Sequence, residues 1–165
     1  TRISEQTRQS EQEQSCTMTS RSATDSTGHC ALVRELTEIG EDVLIGTKAV
    51  IDGRTTVRYS VSLQTGVYVP SDTTIGDHVF VGPHAVLTND PYPVREEDTL
   101  AGPTIEDHAS IGANTTILPD VTVGARSFVA AGSVVVDDVP PETLAIGAPA
   151  EHRPFPEEIP RENEL

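Results

Sequence analysis

The polar residues of this chain that could take part in chemistry cluster in one proline-rich segment. Asn89, Asp90, Tyr92 and Arg95 lie within seven positions of one another, and His84 stands five residues before Asn89. Side chains of these types bind polar small molecules through hydrogen bonds and charge. A histidine near such a group is the natural general base at neutral pH. An Asn-Asp-Pro sequence also makes a good turn without any chemistry, so the structural and the functional interpretations both stay open.

A repeat of six residues runs along the chain on both sides of this segment. The fifteen aliphatic residues that mark it are Ile39, Ile45, Ile51, Val57, Leu63, Val69, Ile75, Val81, Leu87, Ile105, Ile111, Ile117, Val123, Val129 and Val135. A period of six fits neither a helix nor an alternating strand. It indicates short flat faces joined by tight corners, with three faces per coil of 18 residues. We therefore predict an all-β fold, a parallel β-helix of about five coils.

The residues at the corners of the predicted coils follow their own pattern. Gly40, Gly46, Gly76, Gly82, Gly112 and Gly124 each follow the aliphatic residue, where a corner would favour a residue with little backbone penalty. His78, His84 and His108 share the fourth position of their hexads, where side chains should point outward.

The segment 88–104 interrupts the repeat, and the ends of the chain lie outside it. Its three prolines and its charges should make it project from a corner as a loop, and such loops are usually functional. The loop either replaces two faces of a coil or is inserted between adjacent faces. Residues 1–30 form a polar tail that we expect to be disordered. The β-helix should span 31–139, and Pro140 and Pro141 should end it before a C-terminal extension, 140–165, that folds back.

The hexads resemble the [LIV]-G-x-x-[small]-x repeats of the hexapeptide-repeat acyltransferases over roughly residues 39–153. This resemblance implies a left-handed β-helix, a hand that the spacing alone does not give. The runs VFVGPHAVLTNDPYP and TIEDHASIGANTTILPDVTVG are similar to those of nucleotide-sugar N-acetyltransferases. The implied function is transfer of an acetyl group from acetyl-CoA to the amino group of a nucleotide-linked amino sugar, by a homotrimer with active sites between neighbouring coils.

The same resemblance implies roles on the acceptor side. Asn89 would hydrogen-bond the sugar amine and hold it in line for attack. Asp90 would bind the sugar or hold the loop, and Tyr92 and Arg95 would contact the nucleotide or its phosphates. His84 would be the general base or a surface histidine that contacts substrate, since relatives do not all use a base.

On the donor side, two pairs of small residues are one coil apart. Gly112-Ala113 and Ala131-Gly132 should stack at one corner, where the resemblance places the pantetheine arm of coenzyme A. Small residues also suit a corner without any ligand. Near the end, IGAPAEHR has Glu151 where the family has a basic residue near the adenosine phosphate, so Arg153 or Arg126 would have to substitute.

Composition restricts the possible partners. The net charge of −15 argues against nucleic acid or an anionic membrane as a partner. Lys48 is the only lysine, which fits a salt-adapted source or simply an acidic protein. The sequence contains neither a run of 18 apolar residues nor a signal-peptide pattern, so we expect a cytoplasmic protein. Cys16 and Cys30 both precede the repeats and indicate neither a disulfide framework nor a zinc site, and no metal is expected.

Three alternatives to N-acetylation remain. An O-acetyltransferase of a small hydroxyl acceptor, such as a sugar or serine, would need His84 as a firm base. A γ-type carbonic anhydrase would need three metal-binding histidines, but His78, His84 and His108 lack the H-x-x-x-x-H spacing of that class. A non-enzymatic spacer would gain nothing from interrupting its repeat with a loop.

Overall fold

The computed structural model describes residues 26–94 and 100–165, and the regular elements there are β-strands in three sheets. Sheet A contains β1 (Ser26–Thr27), β4 (Leu44–Ile45), β7 (Ser62–Leu63), β10 (Phe80–Val81), β13 (Ser110–Ile111), β16 (Phe128–Val129), β18 (Thr143–Gly147) and β19 (Ala150–Pro154). Sheet B contains β2 (Leu32–Val33), β5 (Val50–Ile51), β8 (Tyr68–Val69), β11 (Val86–Leu87), β14 (Thr116–Ile117) and β17 (Val134–Val135). Sheet C contains β3 (Glu38–Ile39), β6 (Thr56–Val57), β9 (Thr74–Ile75), β12 (Thr104–Ile105) and β15 (Thr122–Val123).

From β1 to β18, strands that neighbour each other in a sheet are one coil apart in the chain. Ile45 pairs in parallel with Leu63, and Val57 pairs with Ile75. This offset of three hexads confirms the predicted β-helix. The aliphatic residue that starts a hexad points inward, and Leu63 is fully buried. The six strands of sheet B correspond to about six coils, roughly the five that were predicted.

The loop is inserted between two adjacent faces and replaces none. Strand β11 lies in sheet B and β12 in the next sheet, C. Across the loop, Ile75 pairs with Ile105 and Val81 pairs with Ile111, so the offset between stacked residues grows from 18 to 30. The twelve extra residues are 89–100, and the corner resumes at Ala101, whose carbonyl accepts a hydrogen bond from the Asp120 amide at 3.0 Å.

The β-helix begins earlier than the predicted boundary at residue 31. Strand β1 pairs in parallel with β4, so the first coil starts within the segment assigned to the polar tail. Thr27 stands six residues before Val33, in phase with the repeat, but its polar side chain does not match an aliphatic pattern. The predicted disorder of the tail, and Cys16 with it, falls on residues 1–25, outside the described residues.

The prediction that Pro140 and Pro141 end the β-helix is wrong for one face. Strand β18 follows them, pairs in parallel with β16 and buries Ala145 completely. Both prolines lie in a corner, where they interrupt no strand. After β18 the chain turns into β19, which is antiparallel to it, and residues 155–165 fold back along sheet A, with Asn163 bonded to Ser110 at 2.9 Å.

We name each corner by the sheets that it joins. The A–B corner comprises residues 28–30, 46–48, 64–66, 82–84, 112–114 and 130–132; the B–C corner comprises 34–36, 52–54, 70–72, 88, 101–102, 118–120 and 136–138; the C–A corner comprises 40–42, 58–60, 76–78, 106–108, 124–126 and 140–142. The last residue of a corner, at the fourth hexad position, has a left-handed backbone with φ between 49° and 72° in most coils.

The glycines that follow the aliphatic residues have a different purpose from the one predicted. These six glycines do not have a positive φ. A Cβ at any of them would instead lie 2.4 to 2.8 Å from an atom of the next coil. They allow coils to stack closely, whereas the left-handed conformation falls two residues later, on residues that are mostly not glycine.

Candidate active site

His84 is the last residue of its turn of the A–B corner. Its φ is 58°, and its amide donates to the Thr65 carbonyl at 2.9 Å in the coil before. The imidazole is exposed, and its Nδ1–Cε1 edge lies against Gly66. The corner therefore fixes both the backbone of His84 and one edge of its ring.

The predicted donor residues lie on the same corner as His84. The Gly132 amide donates to the Ala113 carbonyl at 2.8 Å, and a Cβ on Gly112 would come within 2.4 Å of the Ala131 amide nitrogen. These two coils therefore stack with backbone against backbone. A ligand arm along the corner would meet small side chains and exposed peptide groups here.

Asn114 joins His84 to the donor residues and was missed by the sequence analysis. Its amide donates to the Pro83 carbonyl at 3.0 Å, so the coil of His84 is the direct neighbour of the coil of Ala113. The Asn114 side chain is exposed between His84 and Gly132. Its hexad position is the same as that of His84, which is the signal that could have identified it.

The turn between β18 and β19 extends the A–B corner at its C-terminal end. The Gly147 amide donates to Ser133 Oγ at 3.2 Å, which fixes the turn next to Gly132. Beyond the turn, Glu151 and Arg153 are both exposed, with Arg153 Nη2 at 3.8 Å from Glu151 Oε2. The acidic residue at the position where the resemblance implies a basic one thus has an arginine beside it.

Asn89 lies at the base of the loop, on the B–C corner. Its Nδ2 donates to the Ser71 carbonyl at 3.1 Å and to Ser71 Oγ at 3.0 Å, and its own carbonyl accepts from the Ala101 amide at 3.0 Å. Because a backbone carbonyl can only accept, these contacts identify the nitrogen of the Asn89 amide. Its Oδ1 therefore remains as an acceptor for a donor group on a substrate.

An ion pair lies in the coil below Asn89. Arg54 donates to Asp72 through Nε and Nη2, each at 2.9 Å, and its Nη2 is 3.4 Å from Ser71 Oγ. The hydrogen bond from Arg54 lowers the pKa of Asp72, and the same bond raises the pKa of Arg54. This pair borders Ser71, which holds Asn89.

The other loop residues are more exposed. Asp90 Oδ1 accepts a hydrogen bond from the Tyr92 amide at 2.9 Å, an Asx turn that agrees with the structural interpretation of Asn-Asp-Pro. The Tyr92 side chain is exposed. Arg95 falls outside the described residues.

His84 and Asn89 lie on different corners of one coil. Strand β11 separates them, and five extended residues span about 16 Å. His84 therefore lies with the predicted donor residues and apart from Asn89 within one chain.

Arg126 lies on the C–A corner, on a different corner from the predicted donor residues. Its Nε is 3.4 Å from Glu162 Oε1 of the C-terminal segment. This segment lies along sheet A and borders a half-open pocket of about 480 Å³ that is lined in part by Phe80, Phe128 and Phe155.

His78 and His108 also lie on the C–A corner, where their rings stack 4.8 Å apart with an interplanar angle of 4°. This distance is the spacing of neighbouring strands, because the two residues occupy equivalent positions in adjacent coils. His84 lies on another corner, so the three histidines do not converge within one chain. Across residues 26–94 and 100–165, the structure contains no group of three or more residues able to hold a metal ion.

Two family matches agree with this architecture. Residues 102–137 match the family described as bacterial transferase hexapeptide (six repeats), and residues 37–71 match the hexapeptide repeat of succinyl-transferase. The chain belongs to the hexapeptide-repeat acyltransferase family. The fold of this family member is accordingly the left-handed β-helix that the resemblance implied.

Three relatives illustrate the likeness. The chain is 38% identical to the galactoside O-acetyltransferase of Escherichia coli over 82 residues. The aligned residues cover 46% of this chain and 40% of that protein. PerB from Caulobacter crescentus, solved with CoA and GDP-perosamine, superposes with a TM-score of 0.70 at 28% identity over 79% of this chain and 57% of that one. A variant of the perosamine N-acetyltransferase of the same organism, solved with the same ligands, gives a TM-score of 0.68 at 26% identity, with 79% and 56% covered.

This hexapeptide-repeat protein spans about two fifths of the length of the curated relative and somewhat more than half of the solved chains. In the portions of the chain that the structure describes, no helix is long and apolar enough to cross a membrane.

Proposed function

We propose that this protein transfers the acetyl group of acetyl-CoA to the amino group of a nucleotide-linked amino sugar. The observation that carries the proposal is the likeness to PerB, whose solved structure holds both CoA and GDP-perosamine. The A–B corner supports it, since it combines His84 with a narrow surface of Gly112, Ala113, Ala131 and Gly132 that admits a thin ligand arm.

The proposed chemistry moves an acyl group from sulfur to nitrogen. Acetyl-CoA supplies the acetyl group as a thioester; a carbon–nitrogen bond forms, the carbon–sulfur bond breaks, and the thiol leaves. Asn89 Oδ1 accepts a hydrogen bond from the amine and aims its lone pair at the carbonyl carbon, about 3 to 3.5 Å away. His84 takes the proton that the amine loses and passes it to the departing thiolate, so that coenzyme A leaves as the thiol. Tyr92, Arg95 and Asp90 contact the sugar nucleotide in this scheme.

The separation of His84 and Asn89 within one chain bears on assembly. A complete site needs the A–B corner of one copy beside the loop of another. Copies related by a rotation axis bring two different surfaces together in this way. We therefore propose a homotrimer with one shared site at each boundary between copies.

O-acetylation is the second candidate, favoured by the identity to galactoside O-acetyltransferase. A hydroxyl acceptor keeps its proton near neutral pH, so it depends on a base more strongly than a neutral amine does. The two functions therefore differ in how much activity survives the loss of His84.

The deciding experiment measures thiol release from acetyl-CoA. One set of acceptors consists of UDP-, dTDP- and GDP-linked amino sugars, and the other offers the hydroxyl groups of simple sugars and of serine. Each acceptor is tested in low salt and in molar potassium chloride. Release that depends on an amino sugar is expected. Release with a hydroxyl acceptor alone would replace the proposal by O-acetylation, and release with neither would overturn both.

Two variants assign the roles in the same assay. We expect His84→Gln to lower kcat by about 100-fold or more if His84 is the base. His29→Gln, which changes an exposed histidine at the far end of the corner, should leave kcat unchanged.

Asn89→Ala should lower kcat much more than it lowers stability, although the lost bonds to Ser71 should reduce the free energy of unfolding by about 1 kcal/mol. If Asn89→Ala loses its fold to the same extent as its turnover, Asn89 has a structural role and is not part of the site.

A further inference from the structure

A glycine at position 66 is not required by the backbone. Position 66 is the fourth of its hexad, where the left-handed conformation recurs throughout the β-helix. On the same corner, Lys48 and Asn114 have φ of 58° and 55° with full side chains, and Gly66 has φ of 70°. A residue with a Cβ is therefore compatible with this corner, at the modest cost that the left-handed conformation imposes on an L-residue.

The surroundings of position 66 explain the glycine. A Cβ on Gly66 would lie 2.4 Å from His84 Nδ1, 2.6 Å from Cε1 and 3.4 Å from Cγ. These three atoms form one edge of the imidazole ring, so the ring occupies the space of the missing side chain. A Cβ on Gly132, at the equivalent position of a later coil, would have no atom within 4 Å. Of the two glycines at this position of the A–B corner, only Gly66 has a side chain in the space of its missing Cβ.

We propose that Gly66 is a positioning residue that seats the imidazole of His84. The ring lies with its Nδ1 edge against the backbone of Gly66, and the opposite edge carries Nε2. Because Nδ1 lies against Gly66, Nε2 is the ring nitrogen farther from Gly66 and the one left for proton transfer in the proposed reaction. The role in proton transfer rests on the proposed function. The seat, by which we mean the contact between Gly66 and the Nδ1 edge of the His84 ring, concerns only the position of the ring.

The first test measures stability and needs no substrate. The variants are Gly66→Ala, His84→Ala and the double variant, unfolded by denaturant. If the ring occupies the space, Gly66→Ala should destabilise the protein clearly more in the presence of His84 than in the His84→Ala background. Equal losses in both backgrounds would overturn the proposal. If Gly66→Ala alone fails to fold while the double variant folds, the clash with the ring is demonstrated.

The second test measures the ring and the reaction. Imidazole nitrogen resonances, assigned with His84→Gln, should shift for His84 in Gly66→Ala and stay in place for the other histidines. A displacement of the base of about 1 Å should lower kcat on the order of 100-fold with little change in KM for acetyl-CoA. Lys48→Ala places alanine in the same conformation one coil away and should change neither quantity.

The two tests separate the seat from the proposed function. An inactive wild-type protein with a shifted His84 resonance in Gly66→Ala would reject the proposed function and keep the seat. Unchanged resonances together with unchanged kcat in Gly66→Ala would reject the seat and leave the acetyltransferase activity in place.

Discussion

The A–B and B–C corners are built from the same hexads but held in different ways. Along the A–B corner, an amide of each coil donates to a carbonyl of the coil before it, at 2.8 to 3.0 Å. At the B–C corner the equivalent bond joins the Asp120 amide to the Ala101 carbonyl at 3.0 Å, and side chains supply further contacts beside the loop: Asn89 donates to Ser71, and Thr88 Oγ1 donates to the Ile117 carbonyl at 2.9 Å.

This difference shows how a uniform repeat can supply two kinds of surface. An uninterrupted corner presents the same backbone groups at every coil, which suits an extended ligand arm along the axis. An interrupted corner presents a few individual side chains on a rigid base, which suits the recognition of one acceptor. If this difference holds, changes at the two corners should separate in their effects on stability and on function.

The largest expected effect comes from excision of residues 89–100, which joins Thr88 to Ala101. Leu87 and Ile105 then stand six residues apart, as in every other hexad. We expect the β-helix to fold with a similar far-ultraviolet circular dichroism spectrum and thermal midpoint, and acceptor-dependent thiol release to fall below detection. A molten or aggregated product would show that the loop is part of the fold rather than an insertion into it.

The A–B corner should respond to small changes in volume instead. Gly112→Ala places a Cβ 2.4 Å from the backbone of Ala131, and we expect a loss of about 1 to 3 kcal/mol in the free energy of unfolding, measured by denaturant. Gly132→Ala has open space around its Cβ, so the change should be confined to the backbone strain of about 1 kcal/mol. Equal losses would contradict the view that stacking distance governs this corner.

Ser71→Ala tests the side-chain contacts of the B–C corner. The variant removes the Oγ acceptor of Asn89 and keeps the carbonyl acceptor, so the expected loss is about 0.5 to 1.5 kcal/mol. In the protein without residues 89–100, Asn89 is gone, and the same substitution should have almost no effect. A similar loss in both backgrounds would mean that Ser71 stabilises the corner through other contacts, such as that with Arg54.

The repeat itself could be predicted from sequence because each coil depends on its neighbours in the same way. The positions of Ile75 and Ile105, for example, require only a period of six and a preference for burial. For residues after Leu87, the sequence could not predict which corner they share with residues before it. The gap contains twelve extra residues, enough for two faces, and only the structure shows that they form an inserted loop instead. Arg126 was grouped with Gly132 for its charge alone, although their separation of six residues already places the two on neighbouring corners.

The separation of His84 from Asn89 within one chain could not be predicted for a related reason. Residues five apart in a helix or an irregular loop are often neighbours, but in this β-helix they lie at opposite ends of one face.

The path of residues 155–165 along sheet A carries no repeat, so nothing in its sequence indicated the contact of Asn163 with Ser110. Individual side-chain contacts of this kind depend on three-dimensional positions that a period does not encode.

The smallest expected effect concerns the face between the two corners, where Tyr68 on sheet B donates to Asp52 Oδ2 at 2.7 Å. This hydrogen bond raises the pKa of Tyr68 to about 12, with a smaller effect of burial. A raised pKa means that the folded state favours the protonated phenol. The stabilisation is therefore complete below pH 10, the ordinary pKa, and is lost as the pH rises toward 12.

An ultraviolet titration should accordingly show one of the three tyrosines ionising near pH 12, and Tyr68→Phe should remove that step. The variant should also lose about 0.5 to 1.5 kcal/mol of stability at pH 7, with no loss of acceptor-dependent thiol release. This last outcome tests the role of the face: if sheet B only holds the two corners apart, the loss of the bond from Tyr68 to Asp52, at the edge of the B–C corner, should leave both sites unchanged. A fall in kcat for Tyr68→Phe without a fall in stability would instead place Tyr68 in contact with substrate and join the face to the site.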